Sequence, residues 1–193
     1  GQFEVRDGHS SELVREYVEG IYWDGGVLAR QMLDPGRLRV DLEDVSILMC
    51  DLALEDPRAL MPVLESVIKA EIRDLLILAD KVSPEVTALL LAASKEPTRF
   101  RVVAAKLPGR TKPDQMAVME DLACLVGGRA LVAAAGDTLN TFALAHLGRT
   151  RRAWADKDYL GIIGGKGDPR VLRAHLIHLR SAYQRATDRD LRA

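Results

Sequence analysis

From Val45 to Val132 short apolar runs alternate with longer stretches of helical period, and few folds accept that alternation. It predicts an α/β core whose strands pair mainly in parallel through helical crossovers. Val45-Ser46-Ile47-Leu48-Met49-Cys50 reads as a buried strand, and Asp56 caps a helix from Pro57 to about Ala70 with proline in its first turn. Leu75 to Ala79 is a second strand, and Ser83-Pro84-Glu85 opens a second helix running to about Ser94. Arg101 to Ala105 is a third strand. After Leu107-Pro108-Gly109, Pro113 and Asp114 start a third helix, which Gly127-Gly128 stops before a fourth strand at Ala130-Leu131-Val132. The expected order is therefore βαβαβαβ.

The remainder differs in kind. Arg151 to Tyr159 and Leu160 to Gly165, around Asp156-Lys157-Asp158, predict a β-hairpin, and Val171, Leu172, His175, Leu176, Leu179 and Tyr183 recur as on one long amphipathic helix. Ahead of the core lie an extended stretch Phe3 to Arg6, a turn at Asp7-Gly8 and a linker ending at Val18-Glu19-Gly20. At 193 residues the chain is long enough for one domain with a sizeable core. Its 27 basic against 28 acidic residues give no electrostatic reason for a nucleic-acid or anionic-membrane partner. No apolar run is long enough to span a bilayer, and Gln2 to Asp7 is too polar for a signal peptide. Cys50 and Cys124 sit in apolar runs without zinc or disulfide spacing, which suits the reducing cytoplasm.

A helix on one face of a sheet needs only one apolar stripe, yet the first two carry more. Leu60, Val63, Val67 and Ala70 can face the sheet, leaving Met61, Leu64 and Ile68 on a flank; from Val86 to Ala93 only Thr87 is polar. These flanks predict either a groove between the two helices or cover by neighbouring segments. Asp51, Asp80 and Lys106 each follow a strand, where open α/β sheets place catalytic groups, so a metal-dependent hydrolase is the alternative expectation. Gly161, Gly164, Gly165 and Gly167 match neither phosphate-loop spacing, and His175 with His178 lacks further ligands and reads as helix surface.

Several stretches, in one order, resemble the apical domain of the group I chaperonins, the bacterial GroEL type. Val18-Glu19-Gly20 with Trp23-Asp24 and Gly26 resembles V-E-G-M-x-F-D-R-G-Y-L, Met61 to Glu65 resembles M-L-P-V-L-E, and Leu75 to Ala79 resembles L-L-I-I-A. Lys106 to Gly109 is similar to K-A-P-G, Asp121-Leu122-Ala123 with Gly127-Gly128 to D-I-A-x-L-T-G-G, and Leu147-Gly148 to D-L-G. Asp156-Lys157-Asp158 with Ile162, Ile163 and Gly165 resembles N-K-D followed by I-I-D-G, and Arg180 with Ala186-Thr187 resembles R-Q-Q-I-E-E-A-T.

The resemblance implies a lead-in segment of the intermediate domain at 1–19, an apical domain at 20–187 and a return at 188–193, with a hinge at Gly20. It implies a divergent paralogue that binds non-native polypeptide and the co-chaperonin lid loop, within a ring whose full-length subunits use ATP and magnesium; this chain lacks the ATP-binding equatorial domain, needs no cofactor and is not itself an enzyme. The carried-over groove residues are Val27, Gln31 and Met32, then Met61 and Leu64, then Thr87, Leu91 and Ala92. Where the family has Y-L-S-P-Y-F, this chain has Val27 to Met32 without an aromatic; Thr87 replaces leucine and Ala92 valine. The smaller apolar surface implies a weaker or narrower choice of client.

Overall fold

The computed structural model describes residues 20–190, with side chains as far as Arg185. The expectations for Phe3 to Arg6, Asp7-Gly8 and the segments 1–19 and 191–193 fall outside them.

β1 (Ile21–Asp24) and β2 (Arg39–Met49) are followed by the short β3 (Ala53–Leu54), α1 (Pro57–Lys69), β4 (Asp74–Ala79) and β5 (Lys81–Val82). Then come α2 (Pro84–Ala93), β6 (Arg101–Lys106), α3 (Lys112–Val126), the hairpin β7 (Gly148–Asp156) and β8 (Tyr159–Gly165), and α4 (Pro169–Asp190). Six strands form one mixed sheet in the order β1-β8-β7-β2-β4-β6, and β3 pairs with β5 apart from it. β2, β4 and β6 run parallel, while β1, β8, β7 and β2 pair antiparallel.

The predicted parallel βα units are present, and the helix starts follow the chemistry read from the sequence. Asp56 accepts from the Arg58 amide at 2.9 Å, and Ser83 from the Val86 amide at 3.1 Å. Thr111 and Asp114 form a reciprocal capping box, which starts α3 at Lys112. β4 is buried throughout, as a strand covered on both faces must be. α1 and α2 carry the chain in the same direction across β2, β4 and β6, so right-handed crossovers set both on one face. α3 returns the opposite way and belongs to the other, where it meets α4.

Two expectations are corrected. The fourth parallel strand at 130–132 shrinks to a single bridge between Leu131 and Cys50, because β7 already pairs along β2 from Arg39 to Ile47 and leaves only its last residues open. β2 begins six residues earlier than Val45, at Arg39. In that extension buried Val40 and Leu42 alternate with Arg39, Asp41 and Glu43, the pattern of a strand with one wet face. Asp44, at φ 49°, ends the alternation, and everything from Val45 to Cys50 is buried.

The amino ends of the parallel strands are tied by a buried ion pair. Asp74 is 1% exposed; its Oδ2 accepts from the Glu43 amide at 2.9 Å and from Arg101 at 3.2 Å, and Arg101 also donates to the Asp41 carbonyl. The glycine-rich end of β8 exists for packing. A Cβ on Gly165 would stand 2.3 Å from the Leu125 carbonyl oxygen, and one on Gly167 2.4 Å from that of Cys124, so α4 can leave the sheet only pressed against the end of α3. His175 is not a free surface histidine: Nε2 lies 2.5 Å from Asp121 Oδ1 on α3, with both side chains mostly buried. His178 is exposed.

Candidate functional site

α1 and α2 lie in contact, side by side. On α1 the stripe formed by Leu60, Val63, Leu64 and Val67 is buried, and each such side chain contributes about 1.5–3 kcal/mol by leaving water. Met61 and Ile68, about two helical turns apart on the adjoining flank, stay 47% and 48% exposed. On α2 Val86 and Leu90 are buried, Thr87, Leu89 and Leu91 are half-buried, and Ala88 and Ala92 are exposed. The apolar-all-round reading of α2 thus resolves into leucines packed at its sides and a small-residue outer surface.

The carried-over residues separate accordingly. Met61, Thr87, Leu91 and Ala92 fall on the exposed or half-exposed sides of the two helices. Leu64 is 4% exposed and belongs to the core stripe, one helical step inside the flank that the sequence assigned to it. In the preceding segment Gln31 is exposed, while Val27 is half-buried and bridges to Ala105 of β6. Met32 is 8% exposed, and its Sδ accepts from the Ala104 amide at 3.3 Å, so it seals the open edge of β6 from the side. Ile68 and Ala88 add apolar surface that the resemblance left unmentioned. The i, i+7 spacing of Met61 and Ile68 was the signal available for the first of them.

Gly20, read as a hinge, has φ 148°, and a Cβ there would stand 3.0 Å from Ile163 Cγ1. Both conditions favour glycine at the point where the chain enters β1 against β8.

The strand-end carboxylates of the hydrolase reading are committed elsewhere. Asp51, 9% exposed, accepts from the Ala133 amide at 2.8 Å and so anchors the turn at Ala133–Ala135. Asp80 accepts from Gln115 Nε2 at 3.2 Å and ties the end of β4 to the first turns of α3; Lys106 is exposed. Among the described residues no three His, Cys, Asp or Glu side chains gather as around a cation. The hydrolase expectation is therefore unsupported: its carboxylates act as loop and helix anchors. Cys50 and Cys124 are free thiols, and burial pushes Cys50 up to about 12. Among the described residues no helix is long and apolar enough to cross a membrane.

No protein-family profile matches the chain. Chaperonin GroEL 1 of Polaromonas naphthalenivorans (strain CJ2) is 34% identical to it over 187 residues, which are 96% of this chain and 34% of that protein. Chaperonin GroEL 2 of Albidiferax ferrireducens (strain ATCC BAA-621 / DSM 15236 / T118) is 32% identical over 194 aligned residues, 98% of this chain and 35% of that protein. The chain spans about a third of the length of these relatives, and over nearly all of its own length it is chaperonin-like in sequence.

Proposed function

We propose that this chain is the apical, polypeptide-binding part of a divergent chaperonin subunit, and that it holds exposed apolar segments of non-native proteins against α1 and α2. The observation that carries the reading is that Met61 and Ile68 stand exposed on α1, and Ala88 and Ala92 exposed with Thr87 and Leu91 half-buried on α2, the helix it contacts, on a chain similar over nearly all its length to proteins named chaperonin GroEL. An extended or helical segment laid there would bury its apolar side chains at about 25 cal/mol per Å2 removed from water. With alanines and a threonine on α2 the surface is shallow, which favours weaker and narrower binding than leucines or aromatics would give.

In this reading residues 20–187 are the apical domain, 1–19 and 188–193 lead to an intermediate domain, and Gly20 is a pivot between them. The same surface receives the loop of a co-chaperonin lid, and the subunit works in a cytoplasmic ring. ATP and magnesium belong to a part of the subunit outside this chain, whose own contribution is binding, not catalysis.

The test is titration of the purified chain with a labelled apolar peptide and with a chemically unfolded protein, comparing Met61→Glu and Ala92→Glu with the parent. Both positions are exposed, so the variants keep their fold, whereas Leu64→Glu would place a charge in the core. Saturable binding that both variants lose supports the groove. Absence of binding, or binding indifferent to both, overturns it.

A further inference from the structure

The antiparallel half of the sheet, away from α1 and α2, displays an arrangement that the groove does not use. Tyr22 of β1 and Tyr159 of β8 are 68% and 42% exposed, and their rings stand at 84° with centroids 6.1 Å apart. Asp24 is paired across the strands with Tyr159, so its carboxylate and the phenol ring leave the same side of the sheet a few Å apart, at about 4.5–5.5 Å between Cβ atoms. Asp24 is exposed and, among the described residues, its carboxylate has no hydrogen-bond or ion-pair partner. Two perpendicular aromatic rings beside an unpaired carboxylate make an environment that attracts an organic cation: a ring face offers electron density and the acid supplies the counter-charge.

The same sheet already shows this chemistry in a satisfied form. The Arg39 guanidinium lies over the Trp154 ring at 4.4 Å from its centroid, while Nε and one terminal nitrogen donate to Asp41 Oδ1 at 3.1 and 2.7 Å. Tyr22, Gly161, Trp154 and Asp41 are cross-strand neighbours in one row. The indole fills the place a Cβ on Gly161 would take, which would stand 2.1 Å from Nε1. Ring, cation and carboxylate are thus complete at the β7–β2 end of the row. At the β1–β8 end the rings and the carboxylate stand together, and among the described residues no cationic side chain is paired with that carboxylate. Asp156 Oδ1 accepts from the Asp158 and Tyr159 amides at 2.8 and 2.7 Å, which fixes the backbone that carries Tyr159. The one lysine of that turn, Lys157, is already paired with Asp158 at 3.0 Å.

We infer that Tyr22, Tyr159 and Asp24 form a docking site for a cationic side chain of a partner protein, an arginine guanidinium or an ammonium group. The site is separate from the groove and does not depend on it.

The experiment follows the ring resonances of 13C-tyrosine-labelled chain while N-acetyl-arginine amide, N-acetyl-lysine amide or tetramethylammonium chloride is added, with N-acetyl-leucine amide and sodium chloride as controls. Saturable shifts of Tyr22 and Tyr159 with one or more cations, in the millimolar range expected for one exposed cation site, support the inference. The strongest of the three names the group, guanidinium, primary ammonium or methylated ammonium. Tyr22→Leu should abolish the response and Asp24→Asn should weaken it about three- to tenfold. Equal shifts with the leucine amide or sodium chloride, or an unchanged titration in Tyr22→Leu, overturn it.

Discussion

Replacing Asp74 by alanine tests whether the amino ends of β2, β4 and β6 are held by one carboxylate. Asp74 is 1% exposed and its Oδ2 binds both the Glu43 amide and Arg101, whose own side chain is 21% exposed. Its loss leaves the guanidinium without its counter-ion in a mostly dry place and the Glu43 amide without its acceptor. Removing one member of a buried pair costs about 3–5 kcal/mol, and the partial exposure of Arg101 trims this to about 2–4 kcal/mol. For a chain of this size that lowers the melting temperature by roughly 4–16 °C. Urea denaturation of Asp74→Ala, Arg101→Met and the double variant separates the pair from its surroundings. The double variant should be less destabilised than the sum of the two singles, because neither charge is then stranded. A loss below about 1 kcal/mol for Asp74→Ala, or strict additivity, would refute the account.

Thiol titration of the native chain should modify Cys124 slowly and leave Cys50 unreacted until the chain unfolds, because Cys50 is fully buried, its Sγ donates to the Leu78 carbonyl at 3.3 Å, and its pKa is pushed up to about 12. Gly165→Ala should cost about 2–4 kcal/mol in denaturant titration, since its Cβ would meet backbone at 2.3 Å that cannot yield as a side chain does. Asp137 is held below the usual carboxylate range, first by its bidentate bonds to Arg129 and then by the Val132 amide. Because the folded pKa is the lower one, its contribution is complete above the unfolded carboxylate range and is lost as pH falls through the folded value. Amide exchange across 132–146 should therefore quicken in that acid range and, at neutral pH, in Asp137→Asn.

The parallel core was legible because its signals are local: Asp56, Ser83 and the prolines after them mark helix starts whatever else the chain does. What escaped depended on partners far away in sequence. Residues 130–132 have strand composition, but β7 occupies the edge they would need, and nothing nearby announces that. β2 was read short because the outer half of its pattern, with Arg39, Asp41 and Glu43, looks like loop until β7 lies beside it. His175 passed for a surface residue because its partner Asp121 lies 54 positions earlier. Within the groove, helical spacing separated Met61 from the core but placed Leu64 on the wrong side of the boundary. The two differ by a few tens of degrees around α1, less than periodicity alone resolves.

The shallow surface of α2 also makes the proposed function testable by gain instead of loss. Ala92 is exposed where Leu89 and Leu91 are half-buried and Leu90 is buried, so Ala92→Leu adds three carbons without disturbing the core and at little cost in helix propensity. At about 0.8 kcal/mol per buried methylene the full addition is worth about 2.4 kcal/mol; half-burial under a bound peptide leaves about 1.2 kcal/mol, or roughly eightfold tighter binding. Ala174, exposed on α4, gives the matched control, because Ala174→Leu adds the same surface where no client is proposed to lie. Fluorescence anisotropy with one labelled apolar peptide should show tightening for Ala92→Leu alone. Equal tightening in both variants would mean that the peptide senses total exposed apolar area and not this groove. No change in either would mean that α2 does not touch the peptide, and the groove assignment would fail even if the chain still bound it.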